Sequence, residues 1–214
     1  NNGTWKKWKE AIDKLLNPEK DSEEESGAAQ DGETNAAPNK GERRSNSGNN
    51  KGSEGVELDE DGYMEMETTQ LKGIDSTDRI TNATLKAGAK FIVKEKLMTH
   101  GKQFAKTSFN VDLDGDGSST NVISRSVAKD ESVQTFLAKI NGNANCAGHS
   151  ECDAIIMDNA KISAIPEINA NDLNAQLIHE AAIGKIAGEQ IIKLMTLGLT
   201  EAEAEAQIVN GFLK

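Results

Sequence analysis

Cysteine is almost missing from this chain: Cys146 and Cys152 are the only two in 214 residues. That excludes a small secreted fold stapled by disulfides. One bridge across the short loop between them stays open, but reduced thiols in a cytoplasmic protein are the better reading. Aromatic residues are also scarce, at 4%. The core must therefore be built from Ile, Leu, Val, Ala and Met, and base-stacking platforms are excluded. Positive charge is in deficit, with 24 Lys+Arg against 35 Asp+Glu and a formal charge of −11. Such a surface repels phosphate backbones and argues against nucleic-acid partners. No apolar run approaches the roughly 20 residues of a membrane span. The start, Asn1 to Glu10, has no apolar signal region, and its lack of an initiator Met fits a fragment or a processed form. There is no Walker loop and no Gly-x-Ser-x-Gly elbow, and no nucleophile–base pair is visible, so the chain does not read as an enzyme.

What is present divides into four stretches. In 1–18, Trp5, Trp8, Ile12, Leu15 and Leu16 fall on one helical stripe, with Thr4 as N-cap and Asn17-Pro18 as the stop. This short amphipathic helix could grip a partner or a membrane surface through its two Trp and the nearby Lys6, Lys7 and Lys9. Docking on the protein's own core is the simpler reading. Stretch 19–55 is rich in Ser, Gly, Asn, Glu and Lys and has almost nothing to bury, which predicts a disordered linker. From 56 to 172 the grammar is that of strands: short runs such as Phe91, Val93, Leu97 and Phe109, Val111, Leu113 recur at fairly even intervals between Gly, Asn, Asp and Ser clusters. The pattern indicates an all-β body and leaves a sandwich and a stacked β-solenoid both open. Stretch 173–214 reads as two helices. The first runs near Ala175 to Leu197 and stops at Gly198. The second is opened by a Thr200/Glu203 capping box and runs to about Val209, with Phe212 and Leu213 as an apolar end. Its acidic start, Glu201-Ala202-Glu203-Ala204-Glu205, is wrong for a DNA-reading helix. Docking on the β body or on a partner protein suits it better.

Few residues carry chemistry by pattern alone. Asp112-Leu113-Asp114-Gly115-Asp116-Gly117 starts like a calcium loop, but the twelfth position is Ile123 rather than Glu, and the flanks read as strands. A turn rich in Asp and Gly accounts for the same residues. His179-Glu180 begins like a zinc-protease helix motif and fails at its fifth position, Ile183. Cys146 and Cys152 are too far apart for a Cys-x-x-Cys pair. Glu151 and Asp153 would raise the Cys152 thiol unless a cation intervened. Residue types alone offer a mixed Cys152, His179, Glu180 metal set, and His100 and His149 carry little signal by themselves.

Linked blocks say more. Gly148-His149-Ser150-Glu151-Cys152-Asp153-Ala154-Ile155-Ile156, Ala164-Ile165-Pro166-Glu167-Ile168, His179-Glu180-Ala181-Ala182-Ile183-Gly184-Lys185-Ile186 and Leu194-Met195-Thr196-Leu197-Gly198-Leu199-Thr200-Glu201 occur in an order and spacing that resemble the SufB/SufD family of the SUF iron–sulfur cluster assembly system. The resemblance spans roughly Gly73 to Lys214 and is tightest after Ala147. It implies a mainly β fold, a right-handed parallel β-helix with a C-terminal α-helical domain. It implies dimerisation through the β-helix, as a homodimer or a SufB–SufD-type heterodimer, with a transient iron–sulfur cluster forming at that interface. It implies a SufC-like ABC ATPase bound by the C-terminal helices. The family's interface cysteine falls on Cys152, its SufB-type Glu on Glu180 and its SufD-type His on His179. The longer N-terminal half of typical SufB, with its upstream sulfur-receiving cysteine, has no counterpart here, and no flavin-binding residues are recognisable. The expected role is therefore a compact scaffold subunit. The alternative is a SufD-like structural partner that recruits the ATPase without holding a cluster. A calcium-dependent solenoid module using Asp112, Asp114 and Asp116 is a further rival.

Overall fold

In the computed structural model, residues 50–71 and 74–214 are described. The helix expected in 1–18 and nearly all of the 19–55 linker lie outside them.

Alternation governs the body. Along Lys90–Thr99, residues 91, 93, 95, 97 and 99 are buried while their neighbours are half-buried or exposed, and the same period of two recurs in Phe104–Leu113, Ser119–Ala128 and Val133–Gly142. A period of two puts every second side chain on one face of a strand. Ten such strands follow one another: β1 (Asn50–Leu58), β2 (Tyr63–Gln70), β3 (Ser76–Leu85), β4 (Lys90–Thr99), β5 (Phe104–Leu113), β6 (Ser119–Ala128), β7 (Val133–Gly142), β8 (Ala147–Ile156), β9 (Lys161–Ala170) and β10 (Gln176–Gly184). The odd strands form one sheet in the order β1-β3-β5-β7-β9. The even strands form a second, in the order β10-β8-β6-β4-β2. Each strand pairs in parallel with the strand two later. The chain therefore winds as a coil that adds one rung to each sheet per turn. This is a β-solenoid of five turns, which decides between the two all-β readings.

The two inner faces meet in one apolar core that includes Leu85, Phe91, Val93, Val111, Leu113, Val122 and Ile140. Each such side chain contributes about 1.5–3 kcal/mol by leaving water. The corners need tight turns, and Gly88, Gly117 and Gly101 or Asp61, Asp130 and Asp158 adopt positive φ there. Glycine, and next to it Asp and Asn, tolerate that region. Asparagines stack on neighbouring coils: Asn169 Nδ2 donates to Asn141 Oδ1, Asn141 Nδ2 to Asp112 Oδ1, and Asn143 Nδ2 to Asp114 Oδ1. These ladders repeat at 28 or 29 residues, the length of one coil. The carboxylates of the Asp112–Asp116 loop thus bond to the next coil. Asp116 Oδ1 accepts the Asn145 backbone N–H. The loop joins two strands, β5 and β6, as its flanks predicted.

The tail departs from expectation. Residues 176–184, read from sequence as the start of a helix, form β10. The free edge of β8 offers a row of backbone partners, and Leu177 contributes to the core between the sheets. Tertiary pairing outweighs the helix preference of Gln, Glu and Ala. The solenoid so runs from Asn50 to Gly184, outside the 56–172 limits at both ends. Only then do α1 (Gly188–Met195) and α2 (Glu201–Phe212) follow. The Thr200/Glu203 capping box opens α2 as predicted. Val209, Phe212 and Leu213 pack on Val127, Met157, Met98 and Ile155, which lie on or beside the outer face of the even sheet, and Glu205 lies 3.6 Å from Lys129. So α2 docks on the β body. No described helix is long and apolar enough to cross a membrane.

Candidate functional site

Strand alternation decides where each candidate side chain goes. On β8, Gly148, Ser150, Cys152 and Ala154 face inward and are buried, whereas His149, Glu151 and Asp153 are half-buried on the outer face. On β10, Leu177 and His179 share the inner side, and Ile178 and Glu180 point out. The register is direct: Ser150 opposes His179, Glu151 opposes Glu180, and Cys152 opposes Ala181.

Cys152 is only 1% exposed and belongs to the core. Burial pushes its thiol up to about 11, and the negative charges of Glu95 and Asp153 add to the shift. Glu95 arrives from the same sheet through Ser124, the register partner of both residues. Ser124 Oγ donates to Glu95 Oε2 at 2.9 Å. Cys152 is thus a protonated, sheltered thiol in the free protomer. An unfolded cysteine ionises near 9.0, so the native state holds the proton more tightly. Stability from this group is full below that value and falls as pH rises through it toward about 11. The same shift predicts slow chemistry: at pH 8 the thiolate fraction is about one in a thousand. Iodoacetamide followed by mass spectrometry is expected to leave Cys152 unmodified in the native chain and to label it in urea. Cys146 is also buried, with its thiol raised chiefly by burial, and both cysteines are free.

His179 lies two positions along β10 from the partner of Cys152, a diagonal neighbour on the same inner face. Its Nδ1 is shielded from solvent with no hydrogen-bond partner, and so is the Oγ of the opposing Ser150. Buried polar atoms are seldom left unpaired, and these two stand opposite each other on paired strands. Among the described strands, β10 ends the even sheet, and the inward position Ala181 is exposed. The inner face around His179 therefore opens at the end of the solenoid, one rung beyond Cys152.

Glu180 does not join them within one protomer. Its side chain lies on the outer face, with Oε2 3.5 Å from His149 Nε2. There it meets a group that residue types alone did not single out: donor atoms of His149, Glu151 and Glu180 all lie within 4.8 Å of one another. The signal was available in the spacing, because Glu151 and Glu180 occupy equivalent places in successive coils. Burial, and then Asp153, raise the Glu151 carboxyl.

Beyond the solenoid, α1 has no buried residue. Ile192, Met195 and, just after it, Leu197 are 61%, 44% and 48% exposed. This is an apolar face left uncovered on the tail.

Comparisons with known proteins point to one family. An iron–sulfur cluster assembly SufBD family protein of Methanocaldococcus jannaschii is 33% identical over 160 residues, covering 74% of this chain and 51% of that protein. A SufBD family protein of Methanothermobacter thermautotrophicus is 41% identical over 103 residues, 47% of this chain and 25% of its own length. The iron–sulfur cluster assembly protein SufB of Bacillus subtilis is 34% identical over 100 residues, 45% of this chain and 22% of that protein. The matched stretch thus spans between about a fifth and a half of these relatives. Residues 39–212 match the family of the SUF system FeS cluster assembly, SufBD core domain. With the stacked parallel coils and the Cys152/His179 strands inside that match, the chain belongs to the SufBD core domain family of iron–sulfur cluster assembly proteins.

Proposed function

We propose that this chain is a scaffold subunit on which an iron–sulfur cluster is built as cargo and then surrendered. The observation that carries the reading is the placement of Cys152 and His179 on one inner face at the open end of the solenoid, with His179 Nδ1 unpartnered. Thiolate favours iron and sulfide, while imidazole and carboxylate are weaker and exchangeable donors. A set poorer than four cysteines suits a cluster that must leave. Glu180 faces outward in its own protomer, so it would serve from a second copy or a SufD-like partner joined at the solenoid end.

The high thiol pKa gives the scaffold a resting state. Cys152 stays protonated until an iron ion displaces the proton. A SufC-like ABC ATPase docks on the uncovered face of α1, and its ATP-driven closure shifts the adjoining β10, opening the way to Cys152. The ATPase activity belongs to that partner, and the scaffold performs no turnover of its own in the cytoplasm.

The test is anaerobic reconstitution of the full chain with its ATPase, scored by iron and sulfide per chain and by charge-transfer absorbance. Cys152→Ser is expected to lose at least half of both ions, and Cys146→Ser to keep them. Unchanged content in Cys152→Ser would leave the SufD-like reading, a structural subunit that recruits the ATPase and holds no iron.

A further inference from the structure

We propose that His149, Glu151 and Glu180 form a divalent-metal site on the outer face of the even sheet, on the opposite side of β8 from Cys152. It takes a borderline first-row ion of the iron(II), cobalt(II) or zinc(II) class through one imidazole nitrogen and two carboxylates. The ion has at least one further coordination position open to water or a ligand. The site does not depend on the scaffold reading and shares only Glu180 with it.

The frame is rigid. Asn121, His149 and Ile178 stand in one register row across β6, β8 and β10, and Ile123, Glu151 and Glu180 in the next. Backbone pairing fixes the Cα positions of all three donors, so little chain entropy is lost on binding. His149 is also oriented from behind. Its Nδ1 lies 3.0 Å from Asn121 Oδ1. In the neutral imidazole that contact places the proton on Nδ1 and turns the Nε2 lone pair toward the carboxylates. A second hydrogen bond of this kind is the usual way a protein holds a metal-binding histidine.

The distances suit closure on an ion. Ligand bonds of about 2.0–2.2 Å put donor atoms about 3–3.5 Å apart around one ion. His149 Nε2 and Glu180 Oε2 are already 3.5 Å apart. The widest separation in the group, under 4.8 Å, needs one carboxylate to move by about 1–1.5 Å. Glu180, at the end of a flexible and exposed side chain, can make that move by rotating.

The competing account is a simple His149–Glu180 ion pair. It leaves Glu151 without a salt bridge, since among the described residues no lysine or arginine bridges Glu151 or Glu180, and Arg125, the register partner of Asp153, attracts Glu151 only from farther off. It also leaves a second carboxylate, Asp153, two residues from Glu151 on the same face. One divalent cation would neutralise this concentration of negative charge.

Cobalt(II) titration of the metal-free full chain, under anaerobic conditions, decides the matter, because its visible bands report the donor atoms. One cobalt per chain is expected, with the weak ligand-field bands of nitrogen and oxygen donors and no sulfur-to-cobalt charge transfer. His149→Asn and Glu151→Gln should each weaken binding at least tenfold, while Cys152→Ser should leave it unchanged. These outer-face changes remove no core contact, and circular dichroism is expected to match the parent. Equal affinity in the parent and His149→Asn would overturn the proposal and leave only the ion pair. A charge-transfer band that disappears in Cys152→Ser, with total bound cobalt unchanged in His149→Asn, would overturn it as well, by placing the one ion inside the solenoid. Neither result depends on cluster reconstitution, so the scaffold reading and the metal site can fail separately.

Discussion

Glu95→Ala is expected to destabilise the chain by about 3–5 kcal/mol, the range for a buried ion pair that loses one partner. Glu95 sits at an inward position of β4, and its side chain is 1% exposed. Arg79 of β3 reaches across from the other sheet, with Nη2 2.9 Å from Glu95 Oε1. Thr107 of β5 and Ser124 of β6 donate to Oε2 at 3.1 and 2.9 Å. One carboxylate thus ties four consecutive strands and both sheets. Truncation strands two hydroxyls and a guanidinium that is mostly buried. Urea unfolding followed by circular dichroism measures the loss. Glu95→Gln keeps the shape and removes the charge, so it should cost less. It also has a second readout: the Cys152 thiol should titrate below about 11, because one of the charges that raises it is gone. An unmoved thiol would show that burial and Asp153 suffice. An Arg79→Met, Glu95→Ala double change that costs no more than Glu95→Ala alone would confirm that the penalty is the stranded charge.

The second large effect belongs to Gly115→Ala. A methyl group there would overlap the backbone of Lys86 and Ala87 on the preceding coil. The neighbouring atoms are main chain held in the corner hydrogen bonds, with Gly115 N–H and Asp114 N–H both donating to Leu85 O. Neither coil can give way without loosening its rung. A loss of about 3 kcal/mol or more is expected, at the upper end for overpacking, read as a lowered urea midpoint. Gly211→Ala is the control. It lies within α2 with no atom near its absent Cβ, so alanine should be neutral or stabilise by about 0.5–1 kcal/mol. If the two substitutions behaved alike, close coil approach would not be what requires glycine at 115.

Glu95 also shows how far reading by residue type reaches. Phe91, Val93 and Leu97 mark the inward side of β4 from sequence, and 95 falls on the same side by alternation. A glutamate there looks like an interruption until Arg79 of the same coil and Thr107 and Ser124 of the next are brought to it. The same holds for the Asn and Asp clusters between strands. They read as turns, which they are, but their stacking from coil to coil appears only when the coil length is known. His149 is the sharpest case. It had no partner in its own stretch, because Asn121 and Glu180 stand about one coil away on each side.

The sequence by itself determined the all-β body, the capping box of α2 and, through its linked blocks, the family. Those depend on local period and local hydrogen bonding, which a chain carries wherever it is placed. The resemblance implied parallel strands wound as a coil, and the tertiary structure bears that out; only the tertiary structure decided that 176–184 is a strand, and that Cys152 and His179 face inward while Glu180 faces out. An edge strand exists because a neighbouring strand offers unpaired backbone groups, and a side chain's company is set by register across rungs 27 to 29 residues apart. Such pairings link residues too far apart in sequence for any local pattern to register them.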